Sequence, residues 1–111
     1  MREDLLDFTI RASAFLKVVA GRTRSLLIWE LLDGEKSVTA LADAVGASAT
    51  AVSQQLAILK GEGLVSSRRC GQKVFYSLTS EEARRFVSSI LEILRHNAST
   101  SDTELAQPQA A

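Results

Sequence analysis

The 111-residue chain carries 13 basic and 13 acidic side chains, with 46% hydrophobic and 23% charged residues, which suits one domain with its own core and leaves no room for a separate catalytic domain. The charges cancel, so any case for nucleic-acid binding rests on where they fall along the chain. A single cysteine, Cys70, and a single histidine, His96, exclude an internal disulfide, suit a reducing cytoplasm and supply too few ligands for a zinc site within one chain.

The acidic opening Met1-Arg2-Glu3-Asp4 is unlike a secretory signal. The longest apolar stretch, Ala12 to Ala20, is broken by Lys17 and too short for a bilayer. A cytoplasmic location with no membrane partner is expected. Asp4 to Ala20 has a helical pattern, with Leu5, Leu6, Phe8, Ile10, Phe15, Leu16, Val18 and Val19 making an apolar surface wider than one amphipathic stripe. Thr23 to Leu32 predicts a second helix, followed by Gly34. Val38 to Val45 predicts a short third helix stopped by Gly46. Ser48 is placed to cap a fourth helix, Ala49 to Lys60, whose buried stripe is Val52, Leu56 and Leu59. Leu64 to Arg69 and Lys73 to Leu78 are β-prone runs around Cys70-Gly71-Gln72, a hairpin signal. Ser80 can cap a last helix with Glu81 and Glu82 in its first turn and an apolar set of Phe86, Val87, Ile90, Leu91, Ile93 and Leu94, ending at Asn97. Residues 98–111, rich in Ser, Thr, Gln and Ala, predict a disordered tail after a 1–97 domain.

Four helices, a hairpin and a helix predict a mainly α winged helix-turn-helix, α-α-α-α-β-β-α. The first and last helices carry more apolar surface than one small core needs, so a homodimer through them is expected, with Phe8, Phe15, Ile90 and Leu94 at the crossing.

On the fourth helix, about 100° per residue turns Thr50, Ser53, Gln54 and Ala57 away from the buried stripe. Such short and amide side chains can meet base edges: Gln pairs with adenine, Ser and Thr reach bases or phosphates, and Ala touches a thymine methyl. No acid occurs on this helix before Glu62. Residues 48–80 hold Lys60, Arg68, Arg69 and Lys73 against Glu62, a local net charge of +3, while the segments on either side are net negative. The hairpin tip Arg68-Arg69-Cys70-Gly71-Gln72-Lys73 suits phosphate or minor-groove contact. Ser48, Thr50, Ser53, Gln54, Lys60, Arg68, Arg69 and Lys73 are therefore candidate contacts to double-stranded DNA.

The run Ser37-Val38-Thr39-Ala40-Leu41-Ala42 through Ala51-Val52-Ser53-Gln54-Gln55-Leu56, with Leu59-Lys60, Gly63-Leu64-Val65 and Arg68-Arg69, resembles the ArsR/SmtB family of winged-helix repressors over about Ala14 to Arg95. The resemblance implies a homodimeric bacterial repressor that leaves its operator on a signal. It makes Ser53 and Gln54 reading-helix contacts and adds Gln55, where the family usually has histidine, and Arg24, a common arginine early in the second helix. Metal-sensing members use cysteines on the third helix or Asp, His and Glu on the last. Here the third helix has no cysteine and the last offers only the Glu92–His96 pair, so no metal or other cofactor is expected. Asp33-Gly34-Glu35-Lys36-Ser37-Val38 is similar to the dithiol, persulfide-sensing subset, but Trp29 and Arg95 or His96 stand at about its two cysteine positions.

Two alternatives have different consequences. Cys70, among basic neighbours, could give a one-cysteine redox response if a bulky or anionic group attached there displaced the wing from phosphates. A winged-helix module could also dock protein and never read DNA. An enzyme is not expected: the chain has no Ser/His/Asp set and no phosphate-cradling glycine loop.

Overall fold

The computed structural model describes residues 2–100. The order is α1 (Arg2–Val19), α2 (Arg22–Glu30), β1 (Lys36–Ser37), α3 (Val38–Val45), α4 (Ala49–Gly61), β2 (Val65–Cys70), β3 (Lys73–Leu78) and α5 (Glu81–Thr100). The expected winged helix-turn-helix is present, with one strand more than the sequence reading gave. Lys36 and Ser37 pair antiparallel with Tyr76 and Phe75, so the wing is a three-stranded sheet in the order β1-β3-β2. Two residues carry too little alternation to register as a strand. They become one because Ser37, extended at φ −76° and ψ 159°, is also the cap of α3, its side chain accepting from the Ala40 amide.

Three helices share that start. Ser48 Oγ accepts from the Ala51 amide at 3.1 Å and Ser80 Oγ from the Ala83 amide at 3.0 Å, opening α4 and α5. Gly46 ends α3 in the left-handed region at φ 70°, where a Cβ costs about 1–2 kcal/mol. That residue makes the turn of the helix-turn-helix tight. At the far end of α4 the Leu64 amide donates back to Leu59 O at 2.9 Å, and the chain passes directly into β2.

The core lies where α2, α3, α4, the root of the wing and the first half of α5 meet. Leu27, Ile28, Leu41, Val52, Leu56 and Leu59 are fully buried, joined by Val19, Leu31, Val65, Ala83 and Val87. The expected buried stripe of α4 is thus observed. Arg84 Nη1 donates to Leu32 O at 2.8 Å and fastens α5 to the chain leaving α2.

The bounds of α3 are those expected, the bounds of α1, α2 and α4 shift by at most two residues, and α5 continues through Thr100 instead of ending at Asn97. Asn costs little inside a helix and alanine follows it, with no glycine or proline near enough to stop the turn. The rest of the expected disordered tail, 101–111, lies outside the described residues. Only the end of α1 enters the core, through Val19 and the half-buried Phe15 and Val18.

Leu56 sits at the centre of the stripe. Leu56→Ala is expected to lower unfolding free energy by about 2–5 kcal/mol, measured as a fall in the urea midpoint at unchanged slope.

Candidate nucleic-acid interface

Burial of one side of α4 decides what its other side presents. Thr50, Ser53, Gln54 and Ala57 are all exposed on the face opposite Val52, Leu56 and Leu59. Ile58 joins them at 43% exposure. The sequence reading passed over it, although about 100° per residue places Ile58 off the buried stripe and beside Gln54. Ser48 stands at the entrance to this face with its hydroxyl engaged as the cap.

The two flanks of α4 are tied to neighbours. On one, Lys60 Nζ donates to Ser67 Oγ of β2 at 2.8 Å. On the other, the half-buried Gln55 turns inward, its Oε1 accepting from Arg24 Nη1 at 3.0 Å. Arg24 Nε also donates to Val18 O at 2.6 Å and Nη2 to Lys17 O at 3.1 Å. These two candidate DNA contacts therefore bond each other and the end of α1. The open face comprises the others on α4.

The wing sorts its cations by strand face. Side chains alternate along β2, so Arg69 shares a face with Val65 and Ser67, the side next to α4. Arg68 lies on the opposite face, above its cross-strand partner Phe75. Its guanidinium stacks 4.8 Å from the Phe75 ring centre and reaches across the middle strand to Glu35, with Nε–Oε2 at 2.7 Å and Nη2–Oε1 at 2.8 Å. The two-pronged pair holds the Glu35 carboxyl below the usual carboxylate range and raises Arg68 further. Arg68, expected at phosphates, makes this ion pair across the sheet while its side chain stays 56% exposed. Glu35 was missed because 33 residues separate the partners and no spacing rule links them. Arg69, Lys73 and the lone thiol Cys70 are exposed at the tip, where Cys70 and Lys73 pair.

Away from α4, α1 and α5 present apolar side chains to solvent: Phe8 at 62% and Leu94 at 56% exposure, with Leu5, Leu6, Ile10, Ile90 and Ile93. Phe15, expected at an intersubunit crossing, packs edge-on against Phe86 within the same chain at 5.8 Å between ring centres. The two rings help line a groove of about 600 Å³ with Phe8, Ala12 and Arg85. A second groove, about 560 Å³, runs between α2 and α5 past Leu26, Ile90 and Leu94. Trp29 stands on it with the Arg95 guanidinium 5.4 Å above its ring. Among the described residues no three His, Cys, Asp or Glu side chains converge, and no helix is long and apolar enough to cross a membrane.

An apolar-backed α4 with an open polar face, a tight α3–α4 turn and a basic-tipped wing define a winged helix-turn-helix regulator of transcription. The pattern of the bacterial regulatory proteins of the arsR family matches residues 21–67. A "Biofilm growth-associated repressor" of Xylella fastidiosa is 33% identical over 83% of this chain and 81% of its own length. The regulator KmtR of Mycobacterium tuberculosis is 44% identical over 64% of this chain, which spans only 55% of that protein. Reduced HlyU of Vibrio cholerae superposes with a TM-score of 0.77 at 33% identity, covering 82% of this chain and 96% of that one. A homodimeric winged helix-turn-helix DNA-binding domain of Mycobacterium bovis, Mb0332, gives 0.64 at 30% identity, covering 86% and 85%. The chain belongs to the ArsR family, and these relatives are regulators of transcription, not enzymes.

The Glu35–Arg68 pair has a pH sense. A carboxyl lowered by folding contributes fully above its ordinary pKa, about 4.3, and loses that contribution as pH falls through its lowered value. Amide protection in β2 and β3, taken relative to the intrinsic exchange rate at each pH, is expected to fall on acidification below about pH 4, exchange running faster than that rate predicts from neutral-pH protection. In Glu35→Gln protection is expected to be lower already at neutral pH and to lack this acid step.

Proposed function

We propose that the protein is a sequence-specific repressor that binds an inverted-repeat operator in the cytoplasm as a homodimer. The observation that carries this reading is the acid-free open face of α4. Gln54 is assigned to an adenine edge, Thr50 and Ser53 to bases or phosphates, and Ala57 and Ile58 to thymine methyls. Arg69 and Lys73 approach phosphate or the minor groove from the wing, and Lys60 follows the backbone beside them. Ser48 lies within reach of the same backbone.

The dimer forms through α1 and α5, with Phe8, Ile90 and Leu94 among the contacts. Left in water, those side chains are an apolar patch of the kind that marks an interface. A two-fold axis covers the same patch on both copies and sets two α4 helices toward half-sites about one turn, 34–36 Å, apart. The homodimeric Mycobacterium bovis relative supports this assembly. Residues 1–97 make up the binding and dimerisation unit.

The reading gives no sensing role to the usual metal or dithiol positions. Trp29 stands at one of the latter, stacked by Arg95. Cys70 is a bystander at the tip, and zinc, nickel or a chelator leaves operator affinity unchanged.

Selection of duplexes from a random-sequence pool tests the assignment. Gln54→Ala is expected to cost about 1–3 kcal/mol and to relax preference at one base position. Arg69→Ala is expected to weaken all duplexes alike and to make the salt dependence shallower by about 0.9. An unchanged preferred sequence in Gln54→Ala removes α4 from the reading role, and a parent that selects no duplex favours the protein-docking module.

Sedimentation tests the assembly independently. The parent is expected at dimer mass at micromolar concentration and Leu94→Glu nearer monomer mass; a monomeric parent overturns the interface.

A further inference from the structure

We infer that Arg24 is a positioning residue, which through Gln55 holds the reading helix α4 in a fixed pose against the end of α1. This rests on α4 being the DNA-reading helix.

Three observations converge on the pair. The first is the distribution of the guanidinium's bonds. The last carbonyls of a helix have no partners within it. Arg24 Nε and Nη2 donate to Val18 O and Lys17 O in the last turn of α1, at 2.6 and 3.1 Å. A cation there also complements the helix dipole. Nη1 is left to reach α4, where it meets Gln55 Oε1 at 3.0 Å. One rigid, planar group thus joins two helices that are far apart in sequence.

The second is the space made for it. A Cβ built on Gly21 would lie 2.7 Å from Arg24 Nη2 and 2.8 Å from Cζ. Gly21 has φ −59° and ψ 138°, backbone angles that alanine also adopts. Glycine thus leaves room for the guanidinium to lie against the chain in this pose; a Cβ would require the flexible end of Arg24 to shift by a few tenths of an ångström.

The third is where Gln55 sits. It is half-buried on the flank of α4, beside the stripe of Val52 and Leu59 and off the exposed face of Thr50, Ser53, Gln54 and Ala57. A guanidinium only donates, so Gln55 must present its oxygen inward. With Lys60 bonded to Ser67 on the other flank, α4 is restrained against rolling about its axis. A roll would carry Gln54 away from its base edge while leaving the helix folded. Base readout tolerates little such error, because a paired hydrogen bond weakens steeply with misalignment.

The test uses the full chain and the duplex the parent selects from a random pool, measured over a range of salt, with thermal unfolding of each variant in the absence of DNA. Arg24→Gln and Gln55→Ala are each expected to weaken the selected duplex by about tenfold. At the assay temperature each variant remains folded, and the salt dependence keeps its slope. The double variant Arg24→Gln/Gln55→Ala is expected within about twofold of the weaker single, as for two ends of one tie. Gln55→Glu, which keeps the acceptor and adds charge to it, is expected within about threefold of the parent. A slope shallower by about 0.9 in Arg24→Gln would mean a phosphate contact and overturn the inference. So would losses that multiply in the double variant, or affinities in all the single variants equal to the parent's. If the parent selects no duplex, the assignment of α4 as a reading helix is what fails. The tie is then judged by the unfolding midpoints, where additive losses from Arg24→Gln and Gln55→Ala overturn it.

Discussion

What α4 presents to solvent follows from the burial of its other side. Val52, Leu56 and Leu59 are completely withdrawn from water, each stabilising the fold by about 1.5–3 kcal/mol relative to exposure. Because the helix is rigid, fixing that stripe also fixes which side chains face outward. The open face is polar and free of acids because no apolar or charged residue is needed there for folding. Ile58 and Ala57 are the exceptions, and both are side chains that a groove of base edges can accept.

The charge on this protein works locally. Its formal net charge is zero, yet the end of α4 and the wing carry Lys60, Arg68, Arg69 and Lys73 against one acid of that segment, Glu62 at the α4 C-cap. Arg68 shows that adjacent cations can have different surroundings. Its neighbour Arg69 has the same chemistry and the opposite strand face. Both are exposed, but one guanidinium pairs with Glu35 over the Phe75 ring and the other lies on the face next to α4. The pleat, which separates successive side chains by half a turn, makes that division.

The helices α1 and α5 follow a different logic. Their inner ends contribute Val19, Ala83 and Val87 to the core, and Phe15 and Phe86 close the contact between them. Beyond that point both helices run on with apolar side chains in water, more than a single core of this size can absorb. The fold thereby has one half with a compact core built around α4 and another, the outer parts of α1 and α5, with apolar side chains exposed. Arg24 lies on the boundary between the halves, which is why its bonds reach the end of one and the reading helix of the other.

The sequence by itself determined the helices, the α3–α4 turn, the hairpin and the polar face of α4, because each rests on short-range rules: apolar spacing at the helical period, serine before a helix, glycine where φ must be positive. Motif residues such as Ser53-Gln54 carried the family resemblance for the same reason, being contiguous. Contacts between distant segments were decided only by the tertiary structure. β1 is a strand because β3 lies beside it, and two residues have no period of their own. Arg68 faces Glu35, Arg24 faces Gln55 and Phe15 faces Phe86, contacts within the chain that no spacing rule pointed to. A long, charged or aromatic side chain takes whichever neighbour the folded backbone brings within a few ångströms, and that neighbour's place in the sequence is fixed by topology, not by spacing.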